Sequence, residues 1–120
     1  MTKISEHFTR EELACKCGAC SQDTVDSELL KILEHVRSHF DQPVIINSGN
    51  RCPAYNAQIG GSPKSQHQYS RAADIVVKGH SPAEVQELLE SFMKGWGGIG
   101  SYETFTHVDT RSNGPARWKG

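Results

Sequence analysis

The sequence predicts an α+β fold in which helices flank a small antiparallel sheet. Two stretches carry apolar residues at helical spacing, and short β-branched runs bounded by turn residues follow or separate them. Helices come first along the chain and strands later with one helix between them, an order typical of this class. A chain of 120 residues, 36% of them hydrophobic, is long enough for one core, so we expect a single domain over residues 1–120.

Capping residues mark where two of the helices begin. Thr9, with Glu12 three residues later, predicts a helical turn that opens with a capping box. Ser81 and Glu84 repeat that pattern around Pro82, which fits the first position of a helix. We therefore expect a short helix after Thr9 and a longer one after Ser81.

Amphipathic stretches predict two long helices. The first is capped by Asp26 or Ser27. A shorter helix is predicted over residues 53–59, before the stop signal of Gly60 and Gly61. The apolar stripes of the long helices are Leu29, Ile32, Leu33, Val36 and Phe40 in the first and Val85, Leu88, Leu89, Phe92 and Met93 in the second.

Short runs of β-branched and aromatic residues predict four strands. The last two form a hairpin that turns near Glu103. Residues 111–120 are expected to form a polar tail, because Trp118 is their only large apolar residue. The predicted strands are residues 44–46, 72–77, 99–102 and 105–110.

The charge balance and hydropathy exclude several kinds of partner. A formal net charge of -1 gives no general attraction to nucleic acid or to anionic lipid. No apolar run approaches the roughly 20 residues that span a bilayer. The first residues lack the apolar stretch of a signal peptide, so we expect a protein that is made in the cytoplasm. We also expect the protein to be a monomer.

The four cysteines are unevenly placed. Three lie in a Cys-x-Cys-x-x-Cys motif and the fourth precedes Pro53. Without a secretion signal, metal binding or reduced thiols are favoured over a disulfide framework. The second tight pair of a zinc ribbon is missing, so a second, structural zinc, free thiols and disulfides all stay open. The residues concerned are Cys15, Cys17, Cys20 and Cys52.

Two histidines and an aspartate form a candidate site for a divalent metal. His67 lies in a polar loop, and Asp74 follows seven residues later at the start of a strand. His107 lies on another predicted strand, where alternation places Asp109 on the same face. Two imidazoles and a carboxylate, with one position left for water, make up a ligand set of hydrolytic zinc sites. The spacing alone leaves a purely structural role open for each residue.

Three separated motifs resemble one family of peptidases. Residues 65–74 resemble the Ser-x-His-x-x-Gly-x-Ala-x-Asp signature of the zinc D-alanyl-D-alanine carboxypeptidases and murein endopeptidases, which are related to the zinc fold of Hedgehog domains. Residues 46–53 are similar to that family's Ser-Gly-x-Arg segment. Residues 98–109 are similar to its closing Gly-Ile-Gly and His-x-Asp segment. With a similar opening at residues 7–13, the likeness covers nearly the whole chain.

The resemblance implies a role for each of these polar residues. Arg51 would bind the substrate, because a guanidinium can bond both oxygens of a carboxylate at once. A surface ion pair is the alternative for Arg51. Ser65 and Gln66 would add hydrogen bonds to the substrate or to a metal ligand. The implied zinc ligands are His67, Asp74 and His107.

Two positions depart from the family pattern. Ser70 replaces the signature glycine, which costs on the order of 1 kcal/mol if the backbone there is left-handed. Relatives often carry an acid three residues before the last histidine, where this chain has Thr104. The general base is therefore predicted to be Asp109, which shares a face with His107, or Glu103, which is one residue out of register.

The resemblance implies a zinc peptidase with a Hedgehog-type fold that hydrolyses peptidoglycan stem peptides as a carboxypeptidase or an endopeptidase. The alternative is a non-catalytic zinc domain that binds the cell wall or a protein partner. A small chain without a signal peptide fits a phage enzyme that acts at the wall after release during lysis. The net charge disfavours a nucleic-acid-binding module.

Overall fold

Strand pairing brings distant parts of the chain into one sheet. The computed structural model describes residues 2–120. Its strands are β1 (Val44–Ser48), β2 (Ala72–Val77), β3 (Gly98–Ser101), β4 (Thr106–Asp109) and β5 (Ala116–Lys119). They lie in the order β1-β2-β4-β3-β5, and every neighbouring pair is antiparallel except β3 and β5. The α+β class is confirmed, and the sheet is mixed rather than wholly antiparallel.

The C-terminal segment forms a strand, so the prediction of a polar tail is wrong. β5 pairs in parallel with β3, and Trp118 lies opposite Gly100. A segment with one large apolar residue shows no alternation from which a strand could be predicted. The C-terminal segment becomes a strand because the unpaired backbone groups at the open edge of β3 form hydrogen bonds with it.

The helices begin where the capping residues predict. Capping boxes form at Thr9 and at Ser81, and the carboxylate of Asp26 caps the first long helix by accepting the Leu29 N–H at 3.2 Å. Within residues 2–120, no helix combines the length and apolar composition needed to cross a membrane. The helices are α1 (Arg10–Leu13), α2 (Ser27–Phe40), α3 (Pro53–Gln58) and α4 (Pro82–Phe92), with a 3-10 helix at Gln66–Tyr69.

The core lies between α2, α4 and one face of the sheet. Leu33 and Leu89 from the two helices are fully buried there. Burial of each such side chain contributes about 1.5–3 kcal/mol. On β2, Ala73 and Ile75 join this core, so alternation directs the intervening Asp74 to the opposite face. The hydrophobic pattern thereby fixes which side chains are left to form a site.

The 3-10 helix ends at Ser70 in a left-handed conformation, with φ 62° and ψ 24°. Ser70 stands at the glycine position of the signature that residues 65–74 resemble, and only glycine adopts such a φ without cost. The serine side chain compensates for the strain. Its hydroxyl donates to Asn50 Oδ1 at 2.7 Å and lies 2.8 Å from the hydroxyl of Thr24.

We expect Ser70→Ala to lower the free energy of unfolding by about 1–2 kcal/mol, because it keeps the left-handed strain and loses the hydroxyl contacts. Ser70→Gly loses the same contacts but relieves the strain, so it is expected to be less destabilising. Urea unfolding of the three proteins measures both differences. Equal destabilisation by alanine and glycine would contradict a backbone cost at this position.

Candidate metal centre

Asp74 lies at the centre of the candidate metal site. It is the third residue of β2 and pairs with His107 of β4, so both side chains project from the sheet face opposite the core. The 3-10 helix brings His67 to the same place. Asp74 Oδ1 lies 3.1 Å from His67 Nε2 and 2.9 Å from His107 Nδ1. Each residue offers one ligand atom, and these atoms lie within 4.8 Å of one another, close enough to hold one ion.

Each of the two histidines is anchored through its other ring nitrogen. His67 Nδ1 lies 2.6 Å from the carbonyl oxygen of Gly49, and His107 Nε2 lies 2.7 Å from Asp109 Oδ2. A carbonyl oxygen and an ionised carboxylate only accept hydrogen bonds, so these outer nitrogens carry the protons. Metal-binding histidines are anchored in this way, and a bound ion would replace the contact that each inner nitrogen makes with Asp74 Oδ1. The three residues therefore fit a divalent metal such as zinc.

Hydrogen bonds keep the Asp74 carboxyl ionised although it is buried. Burial opposes ionisation of Asp74, but hydrogen bonds from His107 and His67 outweigh it and hold the pKa of this carboxyl well below its usual value. Burial alone would lower the pKa of His107, and the carboxylates of Asp109 and Asp74 raise it instead. The Asp74 carboxyl is therefore ionised, which is the form that binds a cation.

Arg51 lies beside the metal site in a partly buried position. Its Nη2 donates to Asp74 Oδ2 at 3.2 Å, and the side chain is 14% exposed. Ser48 Oγ accepts from its Nε at 3.1 Å, and Asn56 Oδ1 accepts from its Nη1 at 3.3 Å. The guanidinium is thus held rigidly at the rim of the site, and the acid with which it pairs is itself one of the three ligand candidates.

Neither carboxylate predicted as general base lines the cleft over the metal site. Asp109 is fully buried behind His107, and Arg111 bonds both its oxygens, at 2.8 Å to Oδ1 and 2.6 Å to Oδ2. Burial would raise the pKa of Asp109, but Arg111 and His107 lower it well below its usual range. Glu103 is exposed in the turn between β3 and β4. Sequence reasoning missed Arg111, whose only signal is its spacing of two residues from Asp109.

The glycines of the Gly-Ile-Gly segment make room for the site. A Cβ atom on Gly98 would lie 2.4 Å from Asp109 Oδ2 and 2.6 Å from Oδ1. A Cβ atom on Gly100 would lie 2.6 Å from the ring of Trp118. These distances are too short for any side chain, so the motif lets a buried carboxylate and an indole pack directly on the strand backbone.

A cleft of about 460 Å³ opens over the three ligand candidates. It is also lined by Arg51, Ser65 and Gln66, the three residues that the resemblance predicts to bind substrate. Ser65 Oγ accepts the backbone N–H of His67 at 3.3 Å, so this serine also fixes the start of the 3-10 helix. The predicted substrate-binding and metal-binding residues therefore meet at one cavity.

Three aromatic residues that the sequence did not indicate form one wall of this cleft. The rings of Tyr102 and Phe105 stack with centroids 4.4 Å apart. The indole N–H of Trp118 donates to the Tyr102 hydroxyl at 2.9 Å, and its ring lies 5.0 Å from that of His107. Tyr102 and Phe105 flank the predicted hairpin turn, which is the only signal that could have brought them together.

The four cysteines meet in a second cluster, which we call the thiol cluster. Their sulfur atoms lie within 4.8 Å of one another, and all four are free thiols in the structure. The members of the thiol cluster are Cys15, Cys17, Cys20 and Cys52.

Comparison with known proteins agrees with this geometry. The model of the family described as Peptidase M15 matches residues 6–109, which include all three ligand candidates, Arg51 and the thiol cluster. No curated protein matches the chain. The family match confirms the resemblance that the three sequence motifs predict. The chain belongs to the Peptidase M15 family.

Proposed function

We propose that this chain is a zinc-dependent peptidase that hydrolyses peptidoglycan stem peptides. The observation that carries the proposal is the convergence of His67, Asp74 and His107 on one point beneath a cleft that Arg51 also lines. Membership of a peptidase family supports a hydrolytic role for that convergence. The stem peptide is the substrate class that the sequence resemblance implies.

The protein residues would hold and orient the metal through His67 Nε2, Asp74 and His107 Nδ1. When bound, zinc supplies Lewis acidity that activates water and polarises a peptide carbonyl. Gly49 and Asp109 hold the outer nitrogens of the histidines and so fix the direction of both imidazoles. Because all three ligand candidates are buried, the charges at the site are little screened by solvent.

Arg51 would bind a carbonyl or carboxylate of the substrate. Its contacts with Asp74, Ser48 and Asn56 each use one N–H, which leaves two of the five guanidinium donors for a ligand in the cleft. A terminal carboxylate at this point would make the enzyme a carboxypeptidase. A backbone carbonyl of a longer stem peptide would make it an endopeptidase.

The geometry favours a positioning role for Asp109. Arg111 and His107 already occupy both of its carboxylate oxygens, and its pKa is lowered, so it is a poor proton acceptor. Glu103 makes no hydrogen bond or ion pair with the rest of residues 2–120, and its neighbours Tyr102 and Phe105 line the cleft. Movement of the β3–β4 turn would be needed to bring Glu103 to the reacting water.

Two isosteric variants separate these roles. Asp109→Asn is expected to weaken zinc affinity about 10–100-fold, because it disturbs the anchor of His107. Glu103→Gln is expected to keep the zinc and to lower kcat about 10²-fold or more if Glu103 accepts the proton. Chelator competition measures the affinity and steady-state kinetics the turnover. Unchanged zinc affinity with a large loss of kcat in Asp109→Asn would make Asp109 the base instead.

A second function is favoured by one observation. Asp74 is the only carboxylate among the residues that line the cleft, within the part of the chain that the structure describes. A zinc site without a nearby proton acceptor is suited to a non-catalytic domain that binds the cell wall. This alternative predicts binding of peptidoglycan fragments without turnover.

Incubation with two defined substrates tests the proposed function. Zinc-loaded protein is mixed with a stem pentapeptide ending in D-alanyl-D-alanine and, separately, with a cross-linked pair of stem peptides. Mass spectrometry then detects release of D-alanine or opening of the cross-link. The Asp74→Asn variant is the control and is expected to be inactive. Binding of both substrates without any cleavage by the wild-type protein would favour the non-catalytic alternative.

A further inference from the structure

The connection between α1 and α2, residues 14–26, has little hydrophobic contact with the rest of the fold, since Val25 is its one residue that packs against the core and it is only partly buried. It contains no helix and no strand, and none of its side chains is buried. Ordering an irregular segment of this length costs conformational entropy that apolar burial usually compensates. Hydrogen bonds or a bound ion must therefore hold most of the connection in place.

Three of the four members of the thiol cluster belong to this connection, and the fourth is Cys52. A tetrahedral zinc ion with Zn–S bonds of about 2.3 Å separates its sulfurs by about 3.8 Å. The observed sulfurs all lie within 4.8 Å of one another, so small rotations of the side chains suffice to surround an ion. Four sulfur ligands in a tetrahedral arrangement are typical of structural zinc sites.

Backbone amides are already directed at three of these sulfurs. Cys17 Sγ accepts the N–H groups of Ala19 and Cys20, both at 3.3 Å. Cys15 Sγ accepts the N–H of Cys52 at 3.3 Å, and Cys52 Sγ accepts that of Tyr55 at 3.4 Å. Hydrogen bonds from N–H groups stabilise the thiolate form, which is the form that binds metal.

The fourth ligand joins the connection to the loop of residues 49–52, which we call the arginine loop. Gly49 accepts from His67 Nδ1, and the Arg51 N–H donates to the His67 carbonyl at 3.0 Å. Asn50 Nδ2 donates to the carbonyls of Leu13 at 2.8 Å and Thr24 at 2.5 Å. One short loop thus contacts the thiol cluster, the connection and the cleft.

We propose that Cys15, Cys17, Cys20 and Cys52 bind a structural zinc that clamps the connection onto the arginine loop. The ion would hold Cys52 directly beside Arg51 and so keep the guanidinium at the rim of the cleft. Its existence is independent of the proposed peptidase activity. Only the effect on Arg51 rests on that activity.

Metal counting on the full-length protein tests this second site without an activity assay. Wild-type protein purified without chelator is expected to contain two zinc ions per chain. The Asp74→Asn and Cys17→Ser variants are each expected to contain one. Replacing zinc with cobalt shows by absorption spectroscopy whether thiolates bind the metal. Sulfur-to-cobalt charge-transfer absorption is expected in the wild type and in Asp74→Asn, and it is expected to be lost in Cys17→Ser. Ser21→Ala, an exposed serine of the same connection, is the matched control and should keep both ions.

Several results would overturn the clamp. One is a single zinc in the wild type that Asp74→Asn loses and Cys17→Ser keeps. Another is a wild-type mass that shows two disulfides in place of four thiols. If Cys17→Ser does not fold, titration of the wild type with a thiol-specific mercurial decides the question. One zinc released for every four thiols modified is expected, and release of no zinc contradicts the clamp.

A functional readout then tests the link to Arg51. Removal of the thiol-bound zinc is expected to raise KM for a substrate with a free terminal carboxylate about 10-fold while kcat changes little, since supporting residues typically have effects of this size. If both sites bind zinc and no substrate is cleaved, the clamp stands and the proposed peptidase function fails. If cleavage occurs and the cysteines bind no metal, the proposed peptidase function stands and the clamp fails.

Discussion

Alanine in place of His107 is expected to remove the zinc of the His-Asp-His site and to lower kcat/KM about 10³-fold or more. A Lewis acid contributes several kcal/mol to stabilising the charge of the transition state, and each 1.36 kcal/mol is a factor of ten in rate. Loss of this imidazole also leaves Asp109 without the partner that lies 2.7 Å from its Oδ2. Metal analysis and peptidase kinetics on the same preparation measure both effects.

His39→Ala is the matched control for this prediction. His39 is an exposed histidine of α2, outside the residues that line the cleft. It is expected to keep full zinc content and activity. Circular dichroism separates loss of the metal from loss of the fold. A folded His107→Ala protein that retains its zinc and most of its activity would show that the metal, or the chemistry, lies elsewhere.

Substitution of Arg51 is expected to have the second largest effect. Arg51→Lys keeps the charge but loses the planar fork, and Arg51→Ala loses both. Truncating one partner of a buried, hydrogen-bonded charge pair typically costs 2–5 kcal/mol, so we expect kcat/KM to fall about 30-fold or more in the alanine variant. Zinc content should be unchanged, because Arg51 contacts Asp74 through Oδ2 and the two histidines contact Oδ1.

A pair of substrates identifies the group that Arg51 binds. If the guanidinium binds a terminal carboxylate, amidation of the stem peptide lowers kcat/KM in the wild type and has little further effect in Arg51→Ala. Such non-additivity measures the direct interaction between the two groups. Equal effects of amidation in both proteins would argue against carboxylate recognition and favour binding of an internal carbonyl. Arg37→Lys, on the far helix α2, serves as a charge-conserving control.

Much of the site could be predicted because its residues lie within short motifs on regular elements. The signature contains both His67 and Asp74, and strand alternation places His107 and Asp109 on one face, as their hydrogen bond shows. Alternation gives the face but not the direction of each side chain. Asp109 therefore shares the predicted face but points to the outer nitrogen of His107, away from the cleft.

The parts of the molecule that the sequence did not reveal depend on long-range pairing. β5 exists because the edge of β3 is open to it, and Trp118 reaches the cleft only through that pairing. The contact between Arg111 and Asp109 depends on how the chain turns after β4, which no local pattern specifies. Local patterns thus predicted the helices and most strands, while the aromatic wall required the assembled sheet.

The most direct test of the central claim is anomalous diffraction at the zinc edge from crystals of the zinc-loaded protein. We expect an anomalous peak about 2.0–2.2 Å from His67 Nε2, His107 Nδ1 and a carboxylate oxygen of Asp74. Absence of a peak there, with the two histidines still hydrogen-bonded to Asp74 in crystals soaked with zinc, would contradict it.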